Sequence, residues 1–304
     1  DVVVKVARPT QKEHQLFRPG QTIFSFLHLQ VASPDTYEAL HEREITAVAY
    51  EMIRDEEGLF PVLLPMSAVA GRLAPIIAGQ LLMNINGGRG TLLSGIPGVT
   101  RGSVVVVGAG VLGKNAVRAF LGIGAQVIVM DSNLGKLECI DDLTKGRVTT
   151  MLATQHNLDR ISEFSDVLIG AIQKPGRRAE RIITRDMVRR MRPGSVILDF
   201  SIDDGGCTET SRPTTLRDPI YVADEVIHYC VPNTPAAVAR TTSYGLTNAL
   251  QPYLEALGKT GIIGLIERMP GFAAGINLYQ GNLVQPEIAN ALGREVTSVP
   301  WGGQ

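Results

Sequence analysis

The residues best able to do chemistry lie at the ends of apolar runs. Gly108-Ala109-Gly110-Val111-Leu112-Gly113 directly follows the valine run Val104–Val107 and opens an apolar helical stretch through Val117, Phe120 and Leu121. A second apolar run then ends in Asp131, close to the roughly 20-residue offset at which a ribose-binding carboxylate is expected. In this context Gly108 allows a tight turn, Gly110 lets the backbone approach a pyrophosphate, and Gly113 allows close helix–strand packing. The helix N-terminus adds unpaired N–H groups and the positive end of its dipole. A carboxylate at Asp131 accepts ribose hydroxyls and repels a 2′-phosphate, so the expected dinucleotide is NAD.

Two further groups are candidates for proton handling. His28 ends the apolar stretch Ser25-Phe26-Leu27-His28-Leu29. It reads either as a core histidine satisfied by a backbone group or as a general acid/base, for which an imidazole is suited near neutral pH. Asp203 lies in Leu198-Asp199-Phe200-Ser201-Ile202-Asp203-Asp204-Gly205-Gly206-Cys207, a strand pattern whose far end carries carboxylates and a glycine pair. It reads either as a solvated turn or as a ligand contact at a strand's carboxyl end, where crevices form in doubly wound sheets. Asp199, inside that strand, reads as an anchor. Asn233 is either a nicotinamide contact or an ordinary turn residue. The positive run from Lys174 to Arg192 reads as a phosphate or acidic-partner site or as a solvated helix face.

The elements that must position these groups emerge from patterning. Val104–Val107, Val127–Met130, Val148–Leu152, Val167–Ala171, Val196–Phe200 and Val226–Val231 read as strands, with helical stretches between most of them. Such alternation predicts an α/β fold with a doubly wound parallel sheet, the Rossmann arrangement. Upstream, Val2–Val6, Thr22–Leu29 and Ile45–Tyr50 read as strands, and Ser33-Pro34 opens a helix with Ser33 as its cap. Apolar spacing is helical over Met66–Leu82 and Thr242–Leu257, and a glycine-rich, weakly patterned tail comes after. The predicted organisation is a dinucleotide-binding domain over 63–239, inserted into a discontinuous α/β substrate domain made of 1–62 and 240–304, with the two helices as the crossings. Because the chain opens on Asp1 and almost at once in a strand, that second domain is expected to lack its first part.

Composition narrows the class. The 304 residues include 44% hydrophobic residues, ample for a packed core without disulfides. With 29 Lys+Arg against 30 Asp+Glu and a net charge of −1, a general nucleic-acid binder is not expected. Three cysteines (Cys139, Cys207, Cys230) form no disulfide framework, which fits a reducing cytoplasm. No apolar run reaches the roughly 18 residues of a membrane span. The five histidines lack metal-ligand spacing, so no metal is expected.

Taken together, the residues resemble the alanine dehydrogenase family, whose relatives include the first domain of proton-translocating transhydrogenases. The matching stretches include Leu16-Phe17-Arg18, Phe26-Leu27-His28-Leu29, Ala49-Tyr50-Glu51 and Pro65-Met66-Ser67. They continue with Gly87-Gly88-Arg89-Gly90, the Gly108–Gly113 turn, Ile202-Asp203-x-Gly205-Gly206-Cys207, Arg212-Pro213-Thr214-Thr215 and Tyr229-Cys230-Val231. Leu27-His28-Leu29 favours the dehydrogenase branch. The resemblance implies an NAD-dependent oxidoreductase that interconverts an L-amino acid with its 2-oxo acid and ammonia, as a homo-oligomer.

It assigns His28 to the substrate oxygen and Asp203 to a place beside the nicotinamide, both catalytic. It assigns Ser67, Asp131, Lys136, Ile172 and Asn233 to the cofactor. With the turn residues Gly108, Ala109, Gly110, Val111, Leu112 and Gly113, and with Ser132, Ala171 and Ile202, these form the expected cofactor-binding set. Two departures stand out. Where the family reads Lys-Val-Lys-Glu-Pro, this chain has Lys5-Val6-Ala7-Arg8-Pro9, so the second lysine, which polarises the substrate, is Ala7. Lys5 shares Ala7's face about 6.6 Å along a strand and is the substitute expected, with an altered substrate as the consequence. The family's substrate-carboxylate arginine lies in a stretch preceding this chain's start. A catalytically reduced NAD-binding subunit, or a partner chain that supplies that stretch, is the alternative.

Overall fold

The computed structural model describes residues 1–301. In chain order the strands are β1 (Val2–Val4), β2 (Thr22–Ser25), β3 (Thr46–Ala49), β4 (Ser103–Val107), β5 (Gln126–Asp131), β6 (Thr149–Leu152), β7 (Val167–Gly170), β8 (Val196–Asp199), β9 (Ile220–Ala223), β10 (Val226–Tyr229), β11 (Ile276–Tyr279) and β12 (Asn282–Leu283). They fall into two compact units. One comprises Asp1–Pro65, Lys174–Arg178 and the chain from Ser243 onward; the other comprises Met66–Gln173 and Ala179–Thr242.

The first unit carries a five-stranded sheet in the order β1-β2-β3-β11-β12. β1, β2 and β3 run parallel, β11 lies antiparallel to β3, and β12 antiparallel to β11. β3 (Thr-Ala-Val-Ala) is buried along its whole length, as suits a central strand covered on both faces. On one side pack Ile23, Leu27, Leu40, Ile45, Leu278 and Ile288. An aromatic cluster joins Phe24 to Phe272 at 5.9 Å and Phe272 to Tyr253 at 5.9 Å. The helix Pro34–Glu42 starts after Ser33, as its Ser-Pro signal requires, and buries Tyr37 and Leu40. The weakly patterned tail holds β11, β12 and the helix Pro286–Leu292. β11 carries no clear sequence signal because its stability comes from pairing with β3, far away in sequence, rather than from its own four residues.

The second unit carries a seven-stranded sheet in the order β6-β5-β4-β7-β8-β10-β9. The valines of β4 explain its centre. Val104 and Val106 enter one core with Val117, Phe120, Val129 and Ile169; Val105 and Val107 enter the other with Ile128, Met130, Leu168 and Met187. Alternate residues of a strand face opposite ways, so a run of valines serves a sheet covered by helices on both sides. Burying each side chain contributes roughly 1.5–3 kcal/mol. The chain runs outward from β4 through β5 to β6, then returns to β7 on β4's other side. The strand order therefore reverses between β4 and β7, as in the Rossmann fold.

One strand departs from the parallel pattern. β9 pairs antiparallel with β10. The link is Asp224-Glu225, both with positive φ (48° and 60°), the backbone of a tight hairpin turn. Without Asn or Gly at those positions, no sequence signal marks the hairpin. Several strands also end earlier than predicted: β2 stops at Ser25, not Leu29, and β10 at Tyr229, not Val231.

Candidate active-site residues in each unit

In the second unit the expected cofactor residues gather at the carboxyl edge of the sheet. After β4 the chain turns at Gly108, with φ +115°. A Cβ there would sit 2.3 Å from the Ala171 carbonyl oxygen, so only glycine lets the turn pass the end of β7. A Cβ on Gly113 would fall 1.9 Å from the Gly108 carbonyl, so the helix Val111–Gly122 approaches the turn only because Gly113 lacks one. Gly110 differs: its φ is −72°, and a Cβ there would meet nothing within 4 Å. The space beside it is open, as a pyrophosphate needs. The first N–H groups of that helix have no intrahelical partner, which makes the turn a fit for an anionic diphosphate.

Asp131 closes β5 and takes two backbone donors. Ala109 N–H donates to Oδ2 at 2.8 Å, and Asn133 N–H to Oδ1 at 2.9 Å. Lys136 Nζ lies 4.0 Å from the same carboxylate. Ser132 and Lys136 are exposed around the start of the helix Leu134–Thr144, which Asn133 caps by accepting from Lys136 N–H. The carboxylate retains lone pairs for ribose hydroxyls.

Ser67 lies in the helix Leu64–Leu81, one turn before Gly71. At Gly71 a Cβ would fall 2.4 Å from the Leu112 carbonyl oxygen, so this face meets the start of the helix Val111–Gly122. Residues four apart share a face, which turns Ser67 toward the same region.

Beyond the reversal point, Ala171 and Ile172 come after β7, and Ile172 N–H donates to Ser201 Oγ at 3.0 Å. After β8 the chain makes a short 3-10 turn, Phe200–Asp204, that holds Ile202 and Asp203. Asp199 organises it. This carboxylate is 1% exposed and accepts from Ser201 N–H (3.0 Å), Cys207 N–H (3.0 Å), Thr208 N–H (3.2 Å) and Ser211 Oγ (2.6 Å). It is the anchor that its place inside an apolar strand suggests. Burial, with Asp199 alongside, pushes the Cys207 thiol well up. Asp203 is partly exposed and accepts the Asn233 N–H at 3.0 Å; Asn233 itself is left-handed, with φ 51°. Two expected site residues after different strands, β8 and β10, are thus tied together.

In the first unit His28 is 8% exposed and left-handed, with φ 42° and ψ 48°. Glu51 explains why β2 ends early. Its carboxylate accepts both Leu27 N–H (3.2 Å) and His28 N–H (2.6 Å), which takes them from any strand ladder. Glu51 belongs to the Ala49-Tyr50-Glu51 stretch but is not among the expected site residues; a carboxylate at the end of a buried strand is the further signal that marks it. Lys5 is committed elsewhere: its Nζ donates to Glu13 Oε2 at 2.7 Å. That bond, with Thr10 donors, lowers Glu13 from 4.5 to about 2. β1 ends at Val4, so strict strand alternation does not govern Ala7 and Arg8; Arg8 Nε donates to the Leu27 carbonyl at 2.5 Å.

The positive run is not one helix face. Arg185–Arg190 forms a short helix, where Arg185 pairs with Asp224 at 2.8 Å, Arg189 with Asp186 and Asp224, and Arg190 with Asp159. These partners are those of a solvated, salt-bridged surface.

Residues 1–70 match the family model for the alanine dehydrogenase/PNT N-terminal domain, and residues 74–286 the model for the C-terminal domain. This chain belongs to the alanine dehydrogenase/PNT family. It is 44% identical over 295 residues to an alanine dehydrogenase of Halomonas elongata, covering 97% of this chain and 79% of that protein. An alanine dehydrogenase of Mycobacterium tuberculosis is 40% identical over 293 residues, covering 96% and 79%. A solved L-alanine dehydrogenase superposes with a TM-score of 0.86 at 38% identity, over 96% of this chain and 80% of that one. A transhydrogenase from Sinorhizobium meliloti shares the fold, with a TM-score of 0.73 at 22% identity over 94% and 80%. As an alanine dehydrogenase/PNT member of this closeness, the chain is an oxidoreductase of the amino-acid dehydrogenase kind, in a family that uses NAD. Among the described residues, no helix is long and apolar enough to cross a membrane.

Proposed function

We propose that this chain oxidises an L-amino acid to its 2-oxo acid and ammonia, and runs the reverse reaction, with NAD held on the Gly108–Gly113 turn. The observation that carries this reading is the turn itself, where Gly108 and Gly113 are forced by backbone oxygens at 2.3 and 1.9 Å while Gly110 faces open space. When bound, NAD would supply the acceptor for the hydride that leaves the substrate Cα. The helix N-terminus and Gly110 bind the diphosphate. Asp131 accepts ribose hydroxyls and disfavours a 2′-phosphate. Ser67, Ser132, Lys136, Ala171, Ile172, Ile202 and Asn233 complete the cofactor set.

His28 handles the proton on the substrate heteroatom, its imidazole fixed by a backbone that cannot drift into a strand. Asp203, oriented by the Asn233 N–H, stabilises the charged intermediate and orients water or ammonia. Ala7 removes a cation from the substrate side, which makes an amino acid other than alanine part of the proposal. Lys5 would serve the substrate only by exchanging its bond to Glu13 for one to the substrate.

Self-association is also proposed. Ile76, Met83, Ile85, Leu92, Ile96 and Val99 are each more than half exposed within one stretch of the second unit, a concentration typical of interaction surfaces. Cytoplasmic residence belongs to the same reading, supported by three unpaired cysteines.

The test is turnover. NAD⁺ is mixed with a panel of L-amino acids, and NADH absorbance is followed in the wild type, His28→Ala and Asp203→Ala. Turnover lost in both variants supports the reading. NAD binding without turnover in either direction points instead to a cofactor-binding subunit.

A further inference from the structure

The Leu27–His28 peptide is held at both of its polar atoms by side chains of opposite charge. Its carbonyl oxygen accepts from Arg8 Nε at 2.5 Å, and its N–H donates to Glu51 Oε1 at 2.6 Å. The second Glu51 oxygen takes the preceding N–H, that of Leu27, at 3.2 Å. Glu51 is 1% exposed and stands on the 3-10 turn Tyr50–Met52 at the end of β3. An arginine on a carbonyl and a carboxylate on an N–H are both charge-assisted bonds, stronger than those between neutral groups.

The backbone of His28 requires a device of this kind. His28 is a Cβ-bearing residue at φ 42°, a conformation that side-chain-bearing residues rarely adopt and that persists only where its surroundings over-determine it. The peptide on its N-terminal side sets φ. Anchoring both ends of that peptide fixes the direction in which the imidazole leaves the backbone.

We propose that Glu51 and Arg8 are positioning residues for His28, which they hold in the left-handed geometry that presents its ring for proton transfer. The inference rests on the role given to His28 above. It singles out a carboxylate at Glu51. Glutamine has the same shape but one acceptor oxygen, and its amide nitrogen would face a backbone N–H, donor against donor.

The test compares Glu51→Gln, Glu51→Asp, Arg8→Ala and Arg8→Lys with the wild-type chain by steady-state kinetics, thermal midpoint and site-resolved amide exchange. Misplacing a reacting group by about 1 Å can cost on the order of 100-fold. Glu51→Gln is therefore expected to lower kcat by about 10- to 100-fold and to leave KM for NAD⁺ within about twofold. Amide protection should fall at Leu27 and His28. Glu51→Asp and Arg8→Lys should recover part of the kcat lost by Glu51→Gln and Arg8→Ala. Unchanged kcat in Glu51→Gln, or a loss matched in KM for NAD⁺ and thermal midpoint, would overturn the assignment. If the wild type turns over no amino acid, the dehydrogenase reading fails and exchange alone decides: unchanged protection at Leu27 and His28 in Glu51→Gln would show that there is no grip.

Discussion

Ala109 N–H donates to Oδ2 of Asp131 at 2.8 Å, so the carboxylate proposed for a ribose also holds the second residue of the glycine turn. A substitution at Asp131 should therefore show both the proposed cofactor role and the turn contact. Asp131→Asn keeps an oxygen for Ala109 but loses the charge and sets an amide against the Asn133 N–H. Hydrogen bonds to charged groups contribute about 1.5–3 kcal/mol. NAD affinity should fall by about tenfold or more, and the NADP-to-NAD ratio should rise. Calorimetric titration with both dinucleotides measures this; an unchanged ratio would remove Asp131 from cofactor selection.

The three glycines of the turn should separate by cause. Gly110→Ala places its methyl in open space, so the thermal midpoint should hold while NAD binding weakens. Gly113→Ala drives a methyl into the Gly108 carbonyl, so stability itself should fall, by about 1–3 kcal/mol for an overpacked site. Thermal melts with and without NAD distinguish the two. A destabilised Gly110→Ala would show that the space beside it is not free.

Asp199 and Asp203, on either side of one short turn, should behave as opposites. Asp199 is buried under a set of donors, and its removal strands them all. Asp199→Ala should cost about 1–3 kcal/mol for each buried donor left unpaired, or prevent folding. Asp203→Asn should leave urea unfolding nearly unchanged and abolish turnover. Equal stability losses in the two would mean that Asp203 is also structural.

Glu13 offers a test by pH. Its carboxyl is lowered from 4.5 to about 2, first by the bond from Lys5 and then by Thr10. A depressed folded value contributes stability above the unfolded value that is lost as pH falls through the folded one. The window therefore runs from about pH 4.5 down to about pH 2. Lys5→Ala should move the Glu13 titration, followed by NMR, up toward its ordinary value. A curve that stays put would show that the Lys5 bond is not formed in solution.

What could be read from the chain was local. The valines of β4, the glycine spacing and Asp131 are near neighbours in sequence, and each owes its place to backbone sterics or strand alternation. What could not be read depended on distant partners. β11 exists by pairing with β3, and the N–H of the left-handed His28 is taken by Glu51, on another strand's end. The β9–β10 hairpin turns on two left-handed residues, Asp224 and Glu225, that carry no turn signature. Lys5 illustrates the limit: the resemblance makes it the expected stand-in for the missing substrate lysine, but Glu13, on the short helix Gln11–His14, accepts from its Nζ.

Hydride transfer between a substrate Cα and the nicotinamide is the step proposed for this chain. It is tested most directly with L-amino acids deuterated at Cα, by measuring the label in the NADH formed by mass spectrometry. NADH is expected to carry the deuterium, and no labelled NADH is expected with His28→Ala or Asp203→Ala. NADH formed without label, or no NADH from any amino acid while NAD still binds, would contradict it.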